Sequence, residues 1–179
     1  MKYIVSIISI FLLSFVSVSD IYSIEVKNID GNKIDMNQFR GRKILVIVLP
    51  LSSHDTTVTA SQIGQLQTKY QKSLVVIGIP AEETGFKKGE ETSLKKFYKD
   101  EGVNIIITEK MNVKKGSQQA TLFQWLTSKD KNHHFEQDVE GVGSKFFVDE
   151  GGELYGVMGP GFKLTNPLMD KILMKPFKR

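Results

Sequence analysis

The chain has 179 residues, a length that suits one domain with its own hydrophobic core. It is 40% hydrophobic and 25% charged with a formal net charge of +4, and no basic stripe is interleaved with aromatics, so nucleic-acid binding is not expected. It contains no cysteine, which excludes disulfides, thiol chemistry and a lipoprotein attachment site.

Residues 1–19 read as a secretory signal peptide. Lys2 supplies the positive n-region, Ile4 to Val16 the apolar segment, and Ser17-Val18-Ser19 the small residues before a cut after Ser19. The alternative is an uncleaved anchor, but the apolar run is short for a spanning helix. The mature domain, 20–179, is therefore expected to be secreted or periplasmic and free of the membrane after cleavage. Short lysine clusters at Lys87-Lys88, Lys114-Lys115 and Lys175 to Arg179 read as solvated faces and a solubilising tail.

Along the domain, Ile24 to Asn28 and Lys33 to Asp35 read as a β-hairpin turning at Asn28-Ile29-Asp30-Gly31. Met36 to Arg40 reads as a helical turn. Ile44 to Val48 and Leu74 to Pro80 are continuous apolar runs, the pattern of strands covered on both faces. Between them Val58 to Tyr70 reads as a helix with Ile63, Leu66 and Tyr70 on one face. The stretch Ala81 to Glu91 reads as a solvated loop. Thr92 to Asp100 reads as a helix with Leu94, Phe97 and Tyr98 inward, and Val103 to Ile107 as a strand.

Gln119 to Thr127 reads as a helix carrying Leu122, Phe123 and Trp125, and Lys129 to Asp138 as a polar loop. Lys145 to Asp149 and Glu153 to Gly156 form a second hairpin. Pro167 to Leu173 is a closing helix. The order of elements predicts an α/β fold, a mixed sheet flanked by helices of thioredoxin type, with an N-terminal β-hairpin.

The segments IEVKNIDGNKIDMNQFRGRKILVIVLP, VVIGIPAEETG, MNVKKGSQQATLFQWLTSKDK and KFFVDEGGELYG, with Pro160 to Leu173, occur in the order and spacing of the glutathione peroxidase family. The resemblance covers Ile24 to Leu173 and implies a thioredoxin-like fold and hydroperoxide reduction. That family carries a peroxidatic cysteine or selenocysteine in a turn resembling N-V-A-S-x-C-G-x-T, and the position reads His54 here. Its glutamine, in F-P-C-N-Q-F-G, reads Glu83. Its tryptophan and asparagine, in W-N-F-x-K-F, read Gly141 and Val142. The position of the resolving cysteine of thiol-using members reads Tyr98.

The family's chemistry needs a chalcogen anion to attack the peroxide bond, and an imidazole cannot pass through a sulfenic acid. A glutamate would repel the anion that the glutamine helps to stabilise. The chain thus reads as a degenerate member without an intact catalytic set. It is expected to be a pseudoenzyme with a binding or scaffold role toward a protein or small molecule, with no cofactor and no metal assigned.

His54, Asp55 and Glu83 read first as part of a solvated turn in which Asp55 or Thr56 caps the following helix. The alternative is an enzyme with altered chemistry, metal or acid–base, using His54 and Glu83, or a residual hydroperoxide-reducing role. Ser52 and Ser53 lack a nucleophile elbow and read as turn residues. His133 and His134 are adjacent in a loop, where side chains point apart, so only His54 drawn close to them would make a metal site.

Overall fold

The computed structural model describes residues 20–174, so the signal-peptide reading and the tail Lys175 to Arg179 lie outside the described residues. Val26–Lys27 (β1) and Lys33–Ile34 (β2) pair antiparallel as a separate two-stranded sheet. Their turn is built by Asn28, whose side chain accepts from the Asp30 and Asn32 N–H groups at 3.0 and 2.9 Å. Met36–Phe39 is a 3-10 turn, begun by Asp35 accepting from Asn37 N–H.

The strands Lys43–Val48 (β3) and Leu74–Ile79 (β4) are buried along their whole length, as their unbroken apolar runs require. They run parallel, joined by the helix Ala60–Lys69 (α1). Glu91–Asp100 (α2) then leads to Ile106–Ile107 (β5), parallel to β4. Thr121–Thr127 (α3) and Lys129–Asn132 (α4) precede the antiparallel pair Lys145–Val148 (β6) and Leu154–Met158 (β7), and Leu168–Met174 (α5) closes the described chain. The main sheet has five strands in the order β5-β4-β3-β6-β7.

Side-chain alternation sorts the core into two layers. Val46, Ile77 and Phe146 are register partners and face the first hairpin and α3, where Phe39, Phe123 and Trp125 pack. Leu45, Val76 and Phe147 face the other way, onto Ile63 of α1, Leu94 and Tyr98 of α2 and Met169 of α5. Gly78 is held to glycine by packing, since a Cβ there would stand 2.6 Å from a Leu49 methyl. The α1 face predicted from Ile63, Leu66 and Tyr70 is buried as expected. Tyr70 also donates to Asp170 at 2.5 Å, which ties α5 to α1.

Several boundaries differ from the sequence reading, for local reasons. The helix α1 begins at Ala60 because Thr59 forms a reciprocal capping box with Gln62. The cap is therefore Thr59, not Asp55 or Thr56. The strand β5 is shorter than Val103 to Ile107, because Val103 N–H is taken by the Tyr98 carbonyl at the end of α2. The stretch read as a polar loop after Thr127 contains α4 and is organised by buried Asn132. That side chain donates to the Trp125 and Phe135 carbonyls and accepts from the His134 and Phe135 N–H groups.

Candidate functional site

In the parallel pair β3 and β4, both strands deliver their following loops to the same end of the sheet. Leu51 to Thr57 leaves β3 and contains His54, which is exposed. The turn is held by its own polar side chains. Ser52 Oγ accepts from His54 N–H at 3.3 Å and Asp55 Oδ1 from Thr57 N–H at 2.9 Å. Ser52 thus serves the backbone, as a turn serine does. Lys163 Nζ donates to the Thr57 carbonyl at 3.3 Å and brings the chain after β7 onto the turn.

Tyr98 supports the turn from within. Its side chain is 1% exposed, and its hydroxyl donates to the Pro50 carbonyl at 3.1 Å. Burial raises the pKa of this phenol, and the Asp55 carboxylate pushes it the same way. A group so placed is a neutral donor in the working pH range.

Glu83 follows β4 in a 3-10 turn, Glu82–Thr84. Its two carboxylate oxygens accept from Val113 N–H at 3.0 Å and Lys114 N–H at 2.9 Å. Glu82 N–H donates to the Met111 carbonyl at 3.0 Å, and Ala81 bridges Met111. Glu83 is therefore a staple between two loops. Among the described residues it makes no hydrogen bond to His54.

Gly141 and Val142 lie in the turn before β6. Ser144 Oγ accepts from the Glu140 and Gly141 N–H groups at 3.1 and 3.2 Å, and half-buried Val142 packs on the α1 side of the core. Gly143, at φ 82°, donates to the Val48 carbonyl and sits so close to the His54 turn that a Cβ would meet Thr57 and Val58 side chains at 3.3 Å.

The residue that sequence reasoning passed over is Lys145. It is 1% exposed, and its ammonium donates to the Gly143 and Gly159 carbonyls. Burial is the largest influence on this amine and pushes it down to about 8; the Lys163 charge acts in the same direction and the Glu140 carboxylate opposes it. The signal in the sequence was a lysine opening the otherwise apolar strand KFFV.

The structure thus gathers Tyr98, Gly143 and Lys163 against the His54 turn and engages Glu83 elsewhere. His133 caps α4 in the left-handed region at φ 64°, and His134 Nε2 stands 3.7 Å from Glu153. Among the described residues no group of three or more His, Asp or Glu side chains is placed to hold a metal ion.

Comparisons with known proteins agree with this architecture. The family model described as glutathione peroxidase matches residues 21–127. The glutathione peroxidase homolog BsaA of Bacillus subtilis is 30% identical over 150 residues, covering 82% of this chain and 91% of that protein. The crystal structure of T. cruzi GPX1 superposes with a TM-score of 0.65 at 18% identity, over 87% of this chain and 95% of that one. A thioredoxin-family thiol:disulfide interchange protein from Chlorobium tepidum reaches 0.56 at 14% identity, over 84% and 90%. The fold is thioredoxin-like, and the chain belongs to the glutathione peroxidase family.

Proposed function

We propose that this chain is a non-catalytic member of the glutathione peroxidase family that has kept the scaffold for a binding role. The observation that carries the reading is the complete absence of cysteine from a family whose reaction needs a chalcogen anion. Two features support it. The histidine at the nucleophile position is an exposed turn residue, and the glutamate at the glutamine position spends both oxygens on backbone N–H groups. Export to the periplasm or the medium is part of the proposal and rests on the character of residues 1–19. N-terminal sequencing of the exported product should begin at Asp20; a product that retains Met1 would sink this part.

The test of the central reading is peroxide turnover by the mature chain, Asp20 to Arg179, with thioredoxin or glutathione as reductant and a panel of hydroperoxides. A His54→Cys variant is assayed alongside. The unaltered chain should show no turnover above the reductant-only rate. Activity confined to His54→Cys would reveal a peroxide pocket that outlived its nucleophile. Turnover by the unaltered chain would overturn the reading.

A further inference from the structure

The main sheet ends on one side at β5, and its outer edge is only half covered. Antiparallel pairing with the first hairpin begins well: Glu109 N–H donates to the Lys27 carbonyl at 3.1 Å, Asn28 bridges Thr108, and Ile29 N–H donates to the Ile107 carbonyl at 2.9 Å. The hairpin then turns away, with Gly31 N–H closing onto the Asn28 carbonyl at 2.8 Å. Outward-pointing backbone groups recur every second residue along a strand. The next pair after Ile107 belongs to Ile105, and among the described residues neither Ile105 N–H nor Ile107 N–H has a backbone partner.

Along this vacated line runs a groove of about 760 Å³. Ile29, Ile105 and Ile106 line it and are half-exposed. Lys33, Lys95 and Lys99 also line it, against a single carboxylate, Asp30, which Lys95 already holds at 2.5 Å. Lys33 stands 3.4 Å from exposed Glu25, and Lys99 makes no ion pair among the described residues. Lysines at a sheet edge repel a second copy of the same edge. They attract a strand of opposite charge.

We propose that the outer edge of β5 is a docking site for an extended acidic peptide segment of a partner protein, which adds as a strand antiparallel to Ile105–Ile107. Main-chain bonds to Ile105 and to the Ile107 N–H, whose own carbonyl is already held by Ile29, supply the affinity common to strand addition. Alternate side chains supply the choice: apolar ones meet the isoleucines and carboxylates meet the lysine rim. This gives the binding role proposed above a surface, yet it is tested separately, because a titration reads the groove and the turnover assay reads His54.

The probe is the capped peptide acetyl-Glu-Val-Glu-Val-Glu-Val-Glu-amide, titrated into ¹⁵N-labelled protein. Saturable shifts confined to 28–30, 95–99 and 104–108 are expected, with slowed exchange of Ile105 N–H. The exposed-surface variant Lys99→Glu should weaken binding roughly fivefold or more while leaving the rest of the spectrum in place, and added salt should weaken it further. A valine–lysine peptide of the same length should not bind. The proposal fails if shifts are absent, if Lys99→Glu binds the acidic peptide as well as the unaltered chain does, or if sedimentation shows a dimer whose formation protects Ile105.

Discussion

The loops that follow β3 and β4 stand at the same end of the sheet, and each carries one of the polar residues singled out in the sequence, His54 and Glu83. The structure treats them differently. His54 is exposed, and its contact in the turn is a backbone N–H to Ser52. Glu83 is tied through both oxygens to Val113 and Lys114, and so binds the loop after β4 to the segment before α3. Tyr98, from a third element, fills the space beneath the His54 turn and bonds Pro50. Two loops at the same end of one sheet can therefore use their side chains in different ways. Both side chains are exposed, and the difference lies in their bonds: the Glu83 carboxylate spans two loops, whereas no hydrogen bond of the His54 turn uses the imidazole.

The largest effect that this contrast predicts is at Tyr98. Tyr98→Ala removes a fully buried aromatic and leaves the Pro50 carbonyl unpaired, at a cost of about 3–5 kcal/mol in urea unfolding. Tyr98→Phe, which keeps the ring, should cost about 1 kcal/mol. Equal losses in the two variants would mean that the hydroxyl, not the ring, holds the turn. Next comes Glu83→Ala, which deprives two N–H donors of a charged acceptor; because the carboxylate is exposed and water can take its place on Lys114 N–H, the loss should be about 1–2 kcal/mol. Glu83→Gln keeps one acceptor oxygen and should lose roughly half as much. A silent Glu83→Ala would erase the difference between the two loops.

The fold was largely legible because its strongest signals are physical necessities. Unbroken apolar runs such as ILVIV and LVVIGI have to be covered on both faces, and the spacing of Ile63, Leu66 and Tyr70 gives α1 its buried side. The short elements were less legible, because partners far along the chain decide them. The strand β5 is cut to Ile106–Ile107 by the bond from Val103 to Tyr98, and the loop after Thr127 owes its shape to one buried asparagine. At the site, the motifs suggested which residues stand at the four family positions. What they now do could not be read from the motif. An exposed glutamate in a polar loop has the same letter whether its oxygens are free or span two loops, and Val113 and Lys114 lie about thirty residues away. Lys145 escaped notice because lysine is so seldom fully buried.

Lys145 offers a pH test that separates a packed position from a solvated one. Its amine sits at about 8 in the folded chain, below the ordinary 10.5, chiefly through burial. Between those values the unfolded chain binds a proton that the folded chain has released, so this group's contribution to stability rises with pH across that window. Below about 8 both states hold the proton, and the penalty of burying the charge is constant. The stability difference between the unaltered chain and Lys145→Met should therefore move in favour of the unaltered chain from pH 8 to pH 10, by on the order of 1 kcal/mol. Above pH 10 the raised phenols of Tyr98 and Tyr155 destabilise both proteins alike and cancel in the difference. A flat difference across the window would show that the Lys145 ammonium is solvated and that the 141–143 turn is open beside His54.

The smallest expected effect is at His54, and it decides the comparison from the other side. The hydrogen bond that involves this residue runs from its backbone N–H to Ser52 Oγ, and it survives replacement of the ring. The turn is otherwise held by Asp55 on Thr57 N–H, Lys163 on the Thr57 carbonyl and Tyr98 on the Pro50 carbonyl, none of which uses the imidazole. His54→Ala should therefore change stability by no more than about 0.5 kcal/mol. In a thermal melt that is a shift within about 2 °C. A loss above about 1 kcal/mol would require the imidazole to make a contact worth a full hydrogen bond. His54 would then hold its turn as Glu83 holds its loop, and the two loops would no longer differ.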